Sequence, residues 1–211
     1  MAKQQMTIHI PKPREDTLTL HIRGVEPLLV HRLGKKLREQ MENDKPGQTR
    51  RKQPKPSDEE RFLDSLYFLD KYGREAIPTP EKITKTSVFG FPASGLKKAM
   101  VSACRQIDGV KMTEIRGRFF VVGRYIRIEG TPTMDKPWVR IGSKGPGTGT
   151  PAVGVRARFD EWSADVVIRY FPDLITPESV ANLLSWAGSC DGIGEDRPNK
   201  SGNSFGTWVV C

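Results

Sequence analysis

From Gly192 to Gly206 the chain reads Gly-Ile-Gly-Glu-Asp-Arg-Pro-Asn-Lys-Ser-Gly-Asn-Ser-Phe-Gly, and it closes with an apolar segment, Phe205 to Val210. Glycine has no Cβ, so Gly192, Gly194, Gly202 and Gly206 let the backbone turn left-handed and approach a neighbour closely. A helical pattern precedes the loop. Thr176 suits the N-cap and Pro177 the first turn, while Val180, Leu183, Leu184 and Ala187 share one face and Gly188 closes the helix. The loop therefore joins a helix to a final strand at one edge of a fold. Arg197 and Lys200 give it positive charge, which favours an anion. Asp191, Glu195 and Asp196 could hold a divalent cation by residue type. With Arg197 beside them, an internal salt link or a helix-end cap is the expected use, and no metal is expected.

Periodicity places the other elements. Residues 1–16 carry Met6, Ile8 and Ile10 and then Pro11 and Pro13, the pattern of an edge strand or an arm. Residues 17–23 alternate, with Leu18, Leu20 and Ile22 on one side and Thr17, Thr19, His21 and Arg23 on the other, which predicts a half-buried strand. Ser57 and Glu60 form a capping box, and Phe62, Leu66 and Leu69 follow at helical spacing; a helix over 58–72 is expected, ended by Gly73. Ser94 to Ile107 reads as a second helix with Leu96, Ala99, Met100, Ala103 and Ile107 as its apolar stripe and Gly109 just past its end. Residues 114–128 read as one or two strands with a turn or bulge at Gly123. Residues 142–149 read as a loop, best taken as a hairpin connection. Residues 164–170 alternate as a strand.

With the helix 58–72 counted as part of an insertion, the order is β-α-β-β-α-β. That is the order of a ferredoxin-like or RNA-recognition-motif-like α+β domain with its helices on one sheet face. The expectation is one domain over 1–211, interrupted by a basic segment at 31–57. This segment holds nine Lys or Arg residues, among them Arg32, Lys35, Lys36, Arg50, Arg51 and Lys52. After Met41 it has almost no large apolar residue, so on its own it cannot offset its ordering entropy.

The whole chain is basic: 34 Lys and Arg against 25 Asp and Glu give a net charge of +9. That is a statement about partners: nucleic acid, an acidic protein or an anionic surface. No apolar run of spanning length is present, so no membrane partner is expected. Met1 to Gln5 lacks the apolar core of a signal peptide, and the three scattered cysteines, Cys104, Cys190 and Cys211, suggest reduced thiols in a cytoplasmic setting.

Two motifs resemble a known family. Phe91-Pro92-Ala93-Ser94-Gly95-Leu96-Lys97-Lys98-Ala99-Met100 looks like the strand-to-helix junction of the repeat-associated mysterious proteins (RAMPs), and the loop at Gly192, Gly194, Gly202 and Gly206 is similar to their glycine-rich loop. The branch it most resembles is the backbone subunits of CRISPR effector complexes. The last ~70 residues also resemble small uncharacterised proteins of tailed phages, through Gly192-Ile193-Gly194-Glu195, Arg197-Pro198 and Phe205-Gly206; the setting would then be the host cytoplasm. The resemblance implies a modified RNA-recognition fold, binding of RNA or another single strand, and often a head-to-tail filament. The basic segment 31–57 would stand where the family has a protruding finger, although its place after the first strand is unusual for that family.

The candidate contacts follow from charge and spacing. Arg32, Lys35, Lys36, Arg50, Arg51 and Lys52 would form an arm that meets phosphates, for which arginine is well shaped. Lys97, Lys98 and Arg105 would line a phosphate track beside the helix that opens at Ser94. Arg116 and Arg118, with Arg124 and Arg127, interleave with Phe119, Phe120 and Tyr125 as a stacking and charge surface; adjacent strand residues face opposite ways, so one of the two phenylalanines should be core. Lys144 sits in the 142–149 loop, which lacks the features of a P-loop. Arg197 and Lys200 complete the set. The expected function is non-catalytic coating of a single strand by an oligomer, with no cofactor. Two other readings stay open: a metal-independent ribonuclease using His21 or His31, and a structural subunit of a viral or effector assembly.

Overall fold

The alternation around Leu20 becomes the centre of the structure, a computed structural model that describes residues 10–34, 56–76, 79–142 and 149–211. In chain order the elements are β1 (Asp16–Gly24), β2 (Leu28–Val30), α1 (Asp58–Ser65), β3 (Tyr67–Leu69), β4 (Val88–Pro92), α2 (Ala93–Ala103), α3 (Met112–Ile115), β5 (Phe119–Val121), β6 (Tyr125–Ile128), β7 (Pro132–Asp135), β8 (Trp138–Ile141), β9 (Thr150–Val153), β10 (Arg156–Phe159), β11 (Ser163–Tyr170), α4 (Pro177–Trp186), α5 (Pro198–Ser201) and β12 (Trp208–Val210). The fold is mixed α+β.

A four-stranded antiparallel sheet runs in the order β12-β1-β11-β5. Leu18 lies opposite Ile168, Leu20 opposite Val166 and Ile22 opposite Ala164; Phe119 extends the row opposite Tyr170. Successive strand residues face opposite sides, so these side chains share one face. Leu96, Met100 and Ala103 of α2 and Val180, Leu183 and Leu184 of α4 pack into the same core. Burying each large aliphatic contributes about 1.5–3 kcal/mol relative to leaving it exposed. The opposite face keeps Thr17, Thr19, His21, Arg23, Asp165 and Arg169 in water. Two three-stranded sheets, β2-β10-β7 and β3-β4-β6, add Leu28, Phe68, Phe89 and Phe159 to the same core, and β8 pairs with β9 as a separate hairpin.

The capping box forms as expected: Glu60 N–H donates to Ser57 Oγ at 3.1 Å and Ser57 N–H to Glu60 Oε2 at 2.8 Å. The helix it opens is shorter than its spacing predicts, ending at Ser65 rather than 72. Leu66 is extended (φ −89°, ψ 147°), and Tyr67 to Leu69 pair with β4 so that Phe68 lies opposite Phe89. Cross-strand packing of those rings, 5.4 Å apart, overrides the helical period. Residues 112–115 form a helical turn where a strand was expected to begin. The helix after Thr176 also runs past Gly188: a π-helical turn continues from Ala187 to Asp191 and stops at Gly192, whose φ is 64°. The thiols of Cys104, Cys190 and Cys211 are free. Among the described residues no helix is long and apolar enough to cross a membrane.

Candidate functional site

The junction at Phe91 to Ala93 carries β4 directly into α2. Pro92 takes the cap position and offers no side-chain acceptor, while Ala93 N–H donates to the Arg124 carbonyl at 3.0 Å. This ties the start of α2 to the β5–β6 turn, while the body of α2 packs against the π-helical turn that leads into the glycine-rich loop. The loop is strapped down by its own backbone. Ile193 N–H donates to the Gly206 carbonyl at 3.0 Å, Glu195 N–H to that of Leu29 at 2.9 Å, and Gly206 N–H to that of Pro27 at 2.9 Å. Gly194 and Gly206 are required for this close approach. Both have positive φ (85° and 68°), and a Cβ would sit 2.3 Å from the Leu29 oxygen and 1.8 Å from the Ile193 oxygen respectively. These glycines serve the packing of the loop on its own fold.

Between α2 and the loop lies a groove of about 710 Å³. It is lined by Lys97, Lys98, Arg105, Arg116 and Arg197, with Phe91, Met112 and Ile193 as apolar surface. Among the described residues, none of Lys97, Lys98, Arg105 and Arg116 has a carboxylate within ion-pair reach. Partial burial, and then repulsion from Arg116, hold the Lys97 ammonium below its ordinary lysine value. The one carboxylate on the wall, Asp191, is 3% exposed and accepts from Asn199 Nδ2 at 2.6 Å. Asn199 also donates to Ser102 Oγ at 2.9 Å, which ties α5 to α2. Arg197 Nη1 donates to the Gly194 carbonyl at 2.8 Å, and Arg105 Nε reaches Met112 Sδ at 3.4 Å. The wall thus carries several positive charges with little internal neutralisation, an arrangement that attracts anions and gains from their arrival.

The remaining candidates are placed elsewhere. Arg32 is a correction: it is 4% exposed, ion-paired with Glu75, donates to the Leu66 carbonyl at 3.3 Å, and lies over the Tyr67 ring. Its charge is spent inside the fold, because a buried guanidinium must be neutralised; Tyr125 OH donates to the other Glu75 oxygen at 2.5 Å. Arg118 donates to the Leu174 carbonyl at 3.1 Å and pairs with Glu114 at 4.0 Å. Lys200 is exposed on α5, outside the residues that line the groove. Lys35, Lys36, Arg50, Arg51, Lys52 and Lys144 lie outside the described residues. His21 Nδ1 is 2.8 Å from Asp165 Oδ1 on the open sheet face, and His31 Nδ1 is 3.4 Å from Glu195 Oε1. Neither histidine lines the groove. Of the two adjacent phenylalanines, Phe119 is fully buried and Phe120 faces outward. The Phe120 ring already carries Lys97 Nζ at 3.9 Å from its centre and Arg169 Cζ at 5.2 Å. Among the described residues no cluster of His, Cys, Asp or Glu could hold a metal ion. Asp191, Glu195 and Asp196 are used internally instead.

Asn199 and Arg156 are functional neighbours that the sequence reading missed, while Asp191, named there as an acidic candidate, is held by Asn199. Asn199 had a signal, since it falls in the glycine-rich loop. Arg156 had none, because its partners are far along the chain. The His31 ring nitrogen donates to Glu195, and together with Arg156 it pulls the Glu195 carboxyl from the usual 4.5 down to about 2. A carboxyl lowered in the folded state adds stability that is complete above 4.5 and is lost as pH falls through about 2. The melting temperature of the wild type should therefore fall more steeply between pH 4.5 and 2 than that of Glu195→Gln. Parallel curves, measured by circular dichroism, would contradict this.

No protein-family model matches the chain, and no curated protein matches it by sequence. Among solved structures it is similar to a chain of a type III-B Cmr-β complex bound to cognate target RNA, at 10% identity and a TM-score of 0.44, covering 92% of this chain and 59% of that one. It is also similar to a chain of a CRISPR RNA-guided surveillance complex, at 8% identity and a TM-score of 0.36, covering 92% of this chain and 66% of that one. The protein spans about three-fifths of the length of the first.

Proposed function

We propose that this protein binds single-stranded nucleic acid, RNA or DNA, without cleaving it, and coats the strand as an oligomer or filament. The observation that carries the reading is the groove between α2 and the glycine-rich loop, where Lys97, Lys98, Arg105, Arg116 and Arg197 converge with scarcely any counter-charge. A strand of phosphates is the polyanion that best matches a row of cations beside apolar surface, since bases can rest on Phe91 and Met112 while phosphates meet the charges. The order of the central sheet supports a RAMP-like, ferredoxin-like reading. Counting only its four strands, the last lies beside the first, then the third, then the second, with α2 and α4 as the two crossovers. The histidines support the non-catalytic part, because they stand apart from the groove.

If each of the five groove cations neutralises one phosphate, the log-log salt slope for a single strand is about −3.5, from about −0.7 per contact. Sequence preference is weak, because phosphate contacts carry little base information. The test is binding of labelled single-stranded and duplex oligonucleotides across a salt series, with the recovered RNA run on a gel in chelator. Tight, salt-dependent, single-strand-selective binding and intact RNA are expected. A flat salt response, or no binding at low salt, would overturn the proposal. Cleavage lost in His21→Ala or His31→Ala would replace its non-catalytic part by the ribonuclease reading.

A further inference from the structure

Arg156 stands on β10 behind the glycine-rich loop and does not line the groove. It is nearly buried, with its side chain 11% exposed, and three carboxylates converge on it. Nε donates to Asp135 Oδ2 of β7 at 2.7 Å, and Nη1 donates to Glu195 Oε2 at 3.2 Å and to Asp196 Oδ2 at 2.7 Å. Asp196 is the one non-glycine residue with positive φ (53°) among the described residues, and it immediately precedes Arg197. Aspartate tolerates this left-handed region better than most residues do, so it suits a tight turn here. Its carboxylate is held by Arg156, and the next residue, Arg197, lines the groove.

We propose that Arg156 is a positioning residue for the groove: by gathering Glu195 and Asp196 onto one guanidinium, it fixes the loop in the conformation that presents Arg197 to the ligand. The inference rests on the groove being the binding site. Removing the guanidinium would leave Asp135 and Asp196 without a cationic partner and Glu195 with His31 alone. Their repulsion, with the loss of both hydrogen bonds that hold Glu195 and Asp196, would let Arg197 drift from the groove.

The test is a double-mutant cycle read by oligonucleotide binding. Arg156→Met and Arg197→Ala should each weaken binding of a short single strand by about 3- to 10-fold and lower the salt slope by the ~0.7 of one phosphate. The double variant should be no weaker than Arg197→Ala alone, and Arg156→Lys should recover part of the loss. Losses that multiply in the double variant would overturn the inference, as would an unchanged slope in Arg156→Met. Should Arg156→Met fail to fold, Asp196→Gly takes its place in the cycle, since glycine keeps the left-handed backbone and deletes one carboxylate; unchanged binding there would also overturn it. Hydrogen exchange of the 192–197 amides separates this inference from the reading of the groove. Exchange should be faster in Arg156→Met, or in Asp196→Gly, than in wild type without any ligand, and equal rates would overturn the positioning role. Wild-type protein that binds no strand but shows the faster exchange in the variant would remove only the assignment of the ligand.

Discussion

Lys97→Ala, Arg116→Ala and Arg197→Ala combined should all but abolish single-strand binding, by on the order of 100-fold or more at physiological salt, with little loss of folding stability. Three of five cations leave the groove, so the salt slope should shrink from about −3.5 to about −1.4. Stability holds for a physical reason. Lys97 is kept below its ordinary value by partial burial and by Arg116, so the two repel one another in the unliganded protein. Relief of that repulsion offsets the lost contact of Lys97 with the Phe120 ring, and Arg197 gives up one hydrogen bond, to the Gly194 carbonyl, worth about 0.5–1.5 kcal/mol. The combination of lost binding with a preserved melting temperature is the signature of residues kept for a ligand. A triple variant whose slope equals that of the wild type would place the phosphates elsewhere on the molecule. A triple variant that unfolds would show the cations to be structural.

Gly206→Ala is expected to destabilise the fold severely, by at least about 3 kcal/mol, which for a chain of this size lowers the melting temperature by about 6–12 °C. Two causes add. The residue has φ 68°, a region that an L side chain adopts only with strain. Its Cβ would also lie 1.8 Å from the Ile193 oxygen, and that partner is backbone held by the hydrogen bond between Ile193 and Gly206 themselves. The clash cannot be relieved by turning a side chain. Gly202 makes the control: its φ is 75° but nothing lies within 4 Å of its would-be Cβ, so Gly202→Ala should cost only about 1 kcal/mol of local strain. Thermal melts of the two variants decide the matter, and equal losses would mean that strain alone, not contact, explains the need for glycine at 206.

Much of the central sheet was legible beforehand. Leu18, Leu20 and Ile22 alternate over seven residues, and Val166 and Ile168 do the same, so each strand states its own buried face. Thr176 with Pro177 and Ser57 with Glu60 announce helix starts, because caps act within one turn. The split of Phe119 from Phe120 followed from pleating. What failed were short elements with competing patterns. Leu66 and Leu69 fit a helix stripe, yet Tyr67 to Leu69 gain more by pairing with β4. Strands of three or four residues such as β2, β7 and β10 are too brief to show a period, and only their neighbours make them strands.

The division of labour among the positive charges was not readable in the same way. Composition announced an excess of cations, and the glycine spacing announced a loop that closes near a helix. Those are local or global properties, which sequence states directly through residue type and period. Which cation is neutralised and which is left open is a property of partners brought from afar: Arg32 meets Glu75 across 43 residues and Arg156 meets Asp196 across 40. Neutralisation depends on distance in space and on burial, because the field of a charge depends on what surrounds it. Tertiary structure therefore decided that Arg32 and Arg156 hold the protein together, while Lys97, Lys98, Arg105, Arg116 and Arg197 stand in one groove with their charge still to be met.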